Sequence, residues 1–174
     1  VLLKIASPGV PDFYQGSELW NLSMVDPDNR RPVDYTRRME LMDWLNDREA
    51  EGVKKLVAEL MRDPLQDAIK LYVVRKALLF RRNHAALFSE GEYVPLAATG
   101  AGADNVIAFA RRHDTKWVLA VAPRWVTQLG CQPPDWKTCE WRNTALERPE
   151  GAPAAWTNVL TGAVVRSLRL SGIL

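Results

Sequence analysis

The feature that most limits what this chain can fold into is a change of period near residue 87. Before it, apolar residues recur at helical spacing. Val53, Leu56, Val57, Leu60 and Met61 fall at i, i+3, i+4, i+7 and i+8, with charges opposite. Leu41, Trp44 and Leu45 outline a shorter helix upstream. Asp63, Pro64 and Gln66 read as N-cap, first helical residue and third residue after the cap, which predicts a helix running to about Arg82. Its apolar residues (Ile69, Leu71, Tyr72, Val74, Leu78, Leu79) cover much of its circumference, so it is expected to be packed on more than one side. After residue 87 the pattern shortens and alternates. Strands are expected over 93–96, 105–111, 117–122, 138–142, 156–160 and 164–170, separated by Gly, Pro, Asp and Asn turns. Short strands at this spacing predict an antiparallel β-sandwich or barrel. The expected class is therefore α+β, with domains over 1–86 and 87–174.

Val1, Leu2, Leu3 and Ile5 form a nearly continuous apolar run stopped by Ser7, Pro8 and Gly9, which reads as a strand buried on both faces of a parallel sheet. Such a strand needs neighbours, and none precede it. Leu168, Leu170, Ile173 and Leu174 likewise read as unfinished strand, so the chain is expected to be an excised piece of a larger protein, without a signal peptide. No apolar run approaches the roughly 18 to 20 residues of a membrane span. Twenty-three Lys and Arg against 21 Asp and Glu leave a net charge of +2, too balanced to drive binding to nucleic acid or an anionic membrane.

Residues 8–35 form a long irregular stretch rich in aromatic and charged residues, at the end of the expected strand where α/β proteins place their sites. It holds four carboxylates (Glu18, Asp26, Asp28, Asp34) and the adjacent Arg30 and Arg31. Paired carboxylates can act as glycosidase acid and base. Neighbouring guanidinium groups favour the ionised carboxylate, however, so a salt-bridged binding loop fits better than a catalytic dyad. The competing reading is a purely structural staple. Asp26, Asp28 and Arg30 mimic the opening of a calcium loop, but Arg30 stands at a ligand position and Arg31 where glycine is required, so no metal is expected.

Other candidates carry less. His84, after Arg81 and Arg82, is expected to cap a helix, and His113 to be solvated in a turn. Gly100 and Gly102 lack the context of a phosphate loop. Cys131 and Cys139, the only cysteines, lack zinc-site spacing and are expected as two free thiols. Of the seven Trp, those of the second half (Trp117, Trp125, Trp136, Trp141, Trp156) are expected to fill its core in preference to forming a sugar platform.

Residues 8–20 (PGVPDFYQGSELW) resemble the eighth-strand region of the α-amylase superfamily, glycoside hydrolase family 13. Residues 22–35 (LSMVDPDNRRPVDY) resemble one branch of it, and 86–96 (ALFSEGEYVPL), 106–111 (VIAFAR) and 156–162 (WTNVLTG) extend the likeness over nearly the whole chain. The resemblance implies a catalytic (β/α)8 barrel followed by a C-terminal antiparallel β domain. Residues 1–86 would be the barrel's last strand, its long loop and the closing helices, and 87–174 the β-sandwich domain.

That branch rearranges the reducing-end α-1,4 linkage of a maltooligosaccharide into an α,α-1,1 linkage. The reaction is an intramolecular transglucosylation in trehalose biosynthesis, run through a glycosyl-enzyme intermediate without a cofactor. The superfamily's nucleophile Asp, acid/base Glu and stabilising Asp come from strands four, five and seven, all before Val1. The resemblance thus implies no catalytic residue here and an inactive isolated chain. It implies substrate contacts from Asp26, Asp28, Asn29 and Arg30, a maltooligosaccharide partner met through the barrel, self-association through bare barrel-facing surface, and a cytoplasmic location with reduced cysteines. The alternative is a carbohydrate-binding or structural β module of another member of the superfamily.

Overall fold

The computed structural model describes residues 1–23, 26–27, 30–63, 65–131 and 139–173. Helices come first: α1 (Leu2–Ala6), α2 (Tyr35–Glu51), α3 (Val53–Leu60), α4 (Asp67–Asn83) and α5 (Ala85–Ser89). Short strands follow: β1 (Glu92–Pro95), β2 (Ala98–Thr99), β3 (Val106–His113), β4 (Lys116–Pro123), β5 (Ala145–Leu146), β6 (Trp156–Thr157) and β7 (Val164–Val165). The chain is α+β, as the change of period predicts.

α2 starts where Asp34 accepts the Arg37 amide at 2.8 Å and stops at Gly52, whose φ of +137° disfavours any side chain. α3 has only eight residues, too few to hold itself in water. It persists because Leu56 and Leu60 are buried with Leu41 and Leu45 of α2, Leu71 and Tyr72 of α4, and Leu19 from the long loop. Each such leucine contributes about 1.5–3 kcal/mol. Of the apolar positions read as a helical face, Leu56 and Leu60 are buried, Val53 and Val57 are half-buried, and Met61, just past the end of α3, is exposed.

α4 begins later than expected. Asp63 accepts the Leu65 amide at 3.1 Å and makes a local turn, Gln66 is the N-cap, and Gln66 Nε2 donates to Leu60 O at 3.1 Å. The Gln66 side chain thus closes the end of α3 and does not return to Asp63, so the expected capping box is not formed. Pro64 lies outside the described residues.

The expected strand over 1–5 is a helix. No strand pairs with it among the described residues, so its backbone groups find partners locally, Ile5 N to Val1 O at 3.1 Å and Ser7 N to Leu3 O at 2.9 Å. Ala6 and Leu3 pack with Leu87, Phe88, Phe109 and Ala120. A short apolar run fits a buried strand and a buried helix equally well, and pairing decides between them.

β3 and β4 form a hairpin in register from Val106↔Pro123 to His113↔Lys116, and β1 pairs antiparallel on the other edge of β3. Both faces of this sheet are covered. Phe109 and Ala120 face the cluster of Ala6, Leu87 and Phe88, while Val106 and Val121 face Leu129, Trp141, Leu146, Leu168 and Leu170. α5 runs across the expected boundary at residue 86 and belongs to the first of these clusters.

The remaining strands differ from expectation. Of 138–142, Thr138 lies outside the described residues and 139–142 carry no strand. The stretches 156–160 and 164–170 shorten to the two-residue ladder β6–β7, because Asn158 Oδ1 takes the amides of Leu160 (2.9 Å) and Thr161 (3.1 Å) and folds the backbone into a turn. β2 and β5 pair outside the stretches expected as strands. A Cβ at Gly100 (φ +94°) would stand 2.6 Å from Asn143 O, so glycine permits that close approach. The described sheets have three, two and two strands. Tyr72 of α4 donates to Leu160 O at 2.6 Å and so joins the helical and strand-rich halves.

The two cysteines are not free. Cys131 and Cys139 form a disulfide with Cα atoms 4.3 Å apart. Glu140 N donates to Leu129 O at 3.0 Å, which aligns the two segments and sets the cysteines side by side. Counting cysteines and inferring a compartment carried no information about this pairing. Among the described residues, no helix is long and apolar enough to cross a membrane.

Candidate functional site

The long loop is held by cations that reach out of the helices. Arg38 on α2 donates through Nη2 to Gly16 O (2.7 Å), through Nη1 to Asp34 O (2.8 Å) and through Nε to Glu18 Oε1 (3.0 Å). Gly16 has φ +84°, and an added Cβ would meet Val33 Cγ2 at 3.2 Å, so the chain turns sharply there against its own return segment. Lys70 on α4 donates to Leu19 O at 2.8 Å and lies 5.1 Å above the Trp20 ring, whose backbone amide is held by Asp67 at 3.2 Å. Burial pushes the Lys70 ammonium below its usual range, against the opposing pull of Glu18 and Asp67. Arg81 collects the carbonyls of Ile5, Ser7 and Gly9. Buried or partly buried carbonyls need donors, and these three side chains supply them from the helices.

On this frame Asp26 and Arg30 meet as a bidentate pair, Nε to Oδ1 and Nη2 to Oδ2, both at 2.5 Å. Arg30 also closes a turn through its amide to Pro27 O at 3.0 Å. The side chains are 73% and 55% exposed for Arg30 and Asp26, so the pair is presented to solvent. Asp28 and Asn29, the other expected site residues, lie outside the described residues. The remaining carboxylates of the loop have structural partners: Asp34 caps α2 and Glu18 holds Arg38. The arrangement can hydrogen-bond a polyhydroxylated ligand through a guanidinium whose plane is fixed by a carboxylate.

Arg38, Lys70 and Arg81 were missed by sequence reasoning. The signal available was indirect: a long stretch that reads as irregular demands donors from neighbouring helices. His84 ends α4, with Nδ1 2.9 Å from Phe80 O and its ring stacked on Phe80 at 4.2 Å, which agrees with a capping role. His113 closes β3 with Glu90 and Asp114 within 3.7 Å. Gly102 N is taken by Thr144 Oγ1 at 2.8 Å and Ala101 N by Asn143 at 3.2 Å, so these amides serve the fold. Among the described residues no group of three or more His, Cys, Asp or Glu could hold a metal.

An apolar cavity of about 590 Å³ lies between α1, α4, β4 and the 153–160 segment, and none of residues 8–34 lines it. Its walls include Ile5, Phe80, Val118, Trp156 and Leu160, and the His84 and Lys116 side chains that also line it form no catalytic constellation. The loop therefore remains the candidate site.

No protein-family model matches the chain. A protein provisionally named maltooligosyl trehalose synthase in Mycobacterium tuberculosis (strain CDC 1551 / Oshkosh) is 38% identical over 161 residues, 92% of this chain. The same match recurs in strain ATCC 25618 / H37Rv. The chain is homologous to a C-terminal part of maltooligosyl trehalose synthase. It spans 17% of the length of these relatives. The solved maltooligosyltrehalose synthase of Arthrobacter ramosus superimposes with a TM-score of 0.70 at 34% identity, over 95% of this chain and 19% of that one. A point variant of the same enzyme gives 0.72 at 33% identity, over 99% and 20%. A further maltooligosyl trehalose synthase structure gives 0.64 at 30% identity, over 95% and 19%.

Proposed function

We propose that the chain is the C-terminal portion of an enzyme that converts the reducing-end α-1,4 linkage of a maltooligosaccharide into α,α-1,1 by intramolecular transglucosylation, in trehalose biosynthesis. Residues 1–86 complete the catalytic barrel and 87–174 form the C-terminal β domain. The observation that carries the reading is the solvent-presented Asp26–Arg30 pair on a loop pinned by Arg38, Lys70 and Arg81, within a chain homologous to that enzyme. Asp26, Asp28, Asn29 and Arg30 contact the sugar. No redox cofactor is required, because glycosyl transfer between hydroxyls is redox-neutral. The chain alone is inactive, since the superfamily's catalytic carboxylates belong to earlier strands, and its barrel-facing surface drives self-association.

A cytoplasmic location follows from the substrate alone, and the disulfide speaks for a more oxidising compartment. The alternative, a glucan-binding module of another superfamily member, is favoured by the aromatic residues of the strand-rich half. The test is incubation with maltopentaose. The full-length protein should form a non-reducing product and the isolated chain none; product from the isolated chain, or none from the full-length protein, overturns the proposal.

A further inference from the structure

Trp125 stands apart from the other tryptophans of the strand-rich half. Trp141 is buried in the core there, and Trp117 and Trp156 are half-buried. Trp136 lies outside the described residues. Trp125 is 56% exposed, and its backbone sits at φ +49°, ψ +41°, a left-handed conformation that bulky side chains rarely adopt. The strain is held in place by a dedicated set of bonds. Buried Asn105 donates through Nδ2 to Trp125 O (3.2 Å) and to Gln128 Oε1 (3.1 Å), and Arg124 donates through its amide to Asn105 O (2.8 Å) and through Nε to Asp104 O (2.8 Å). The Arg124 guanidinium lies 4.2 Å over one face of the indole.

A turn that stores strain to present an exposed, oriented aromatic ring is a signature of recognition, since the fold gains nothing from leaving an indole in water. Resting on the function proposed above, we infer that Trp125 is a second α-glucan contact, separate from the 26–30 loop. The apolar C–H face of a glucosyl ring stacks on the indole, and Gln128 and the Arg124 guanidinium stand beside it to meet the hydroxyls. The ligand class is an α-1,4-linked maltooligosaccharide of several units.

The test is maltoheptaose binding to the whole chain, by calorimetry and tryptophan fluorescence, in an Arg30→Ala background so that loop contacts do not mask the result. Glycine and asparagine both suit φ +49°, so Trp125→Gly and Trp125→Asn remove the ring while keeping the turn, and Trp125→Phe keeps an aromatic face. Loss of the ring should weaken binding about tenfold or more, with Trp125→Phe retaining most of the affinity. Unchanged affinity in a folded ringless variant overturns the inference. So does absence of maltoheptaose binding by the chain, or failure of both ringless variants to fold, which would show that the ring serves structure. Failure of the proposed function is read separately, as absence of α,α-1,1 product from the full-length protein.

Discussion

Arg38 Nε lies 3.0 Å from Glu18 Oε1, and the same guanidinium donates to the carbonyls of Gly16 and Asp34, so one side chain on α2 ties the middle of the long loop to its last residues. Arg38→Ala should lower stability by about 2–3 kcal/mol, because it leaves partly buried acceptors without a donor. Arg38→Lys should recover little, since an ammonium cannot reproduce a fork that serves three acceptors. Urea unfolding measures both, and a lysine variant as stable as the parent would contradict this role.

Glu49 gives a pH signature. Burial pushes its carboxyl up, but hydrogen bonds from Lys76 (2.7 Å) and Arg75 (2.6 Å) outweigh that and hold it below its ordinary value of 4.5. A depressed carboxylate contributes stability that is fully present above its unfolded pKa and is lost as pH falls through its folded pKa. The stability gap between the parent and Glu49→Gln should therefore be constant at neutral pH and shrink below about pH 4.5. A gap that does not change down to the acid limit of folding would remove Glu49 from the account.

The Cys131–Cys139 bridge closes a short loop beside Leu129 and Trp141. Protein purified without reductant should show no free thiol after denaturation. Cys131→Ser with Cys139→Ser should cost about 2–3 kcal/mol, as loop closure in the unfolded chain predicts. Two free thiols per chain would contradict the structure and restore a reducing environment.

How much could be read beforehand depended on the length of the repeating signal. α3 and the β3–β4 hairpin carry several matching positions each, and Leu56, Leu60, Phe109 and Val121 are buried as their period requires. The Val1–Ile5 run is too short to separate strand from helix, and the ladders β2–β5 and β6–β7 contain only two residues per strand. At the site, charge density marked the loop and the Asp26–Arg30 spacing suited a pair. Apart from the contact of Arg38 with Asp34 O, the donors that hold it lie 22 to 76 residues away from the carbonyls they serve, as Arg38 does from Gly16 and Arg81 from Ile5. Contacts of that range leave no local pattern. The disulfide was missed for a related reason, since backbone pairing of Leu129 with Glu140 and not cysteine count brings the sulfurs together.

The central claim is that the loop presents Arg30 to sugar, and Arg30→Ala in the full-length enzyme tests it most directly. Arg30 is 73% exposed and its ion pair with Asp26 is solvated, so it adds little to stability. Removing a charged donor from a sugar site should cost about 1.5–3 kcal/mol of transition-state binding, roughly ten- to a hundredfold in kcat/KM. Both kcat/KM on maltopentaose and the melting temperature should be measured on one preparation. The account predicts a large fall in kcat/KM with an unchanged melting temperature; a melting shift of several degrees with unchanged kcat/KM would contradict it.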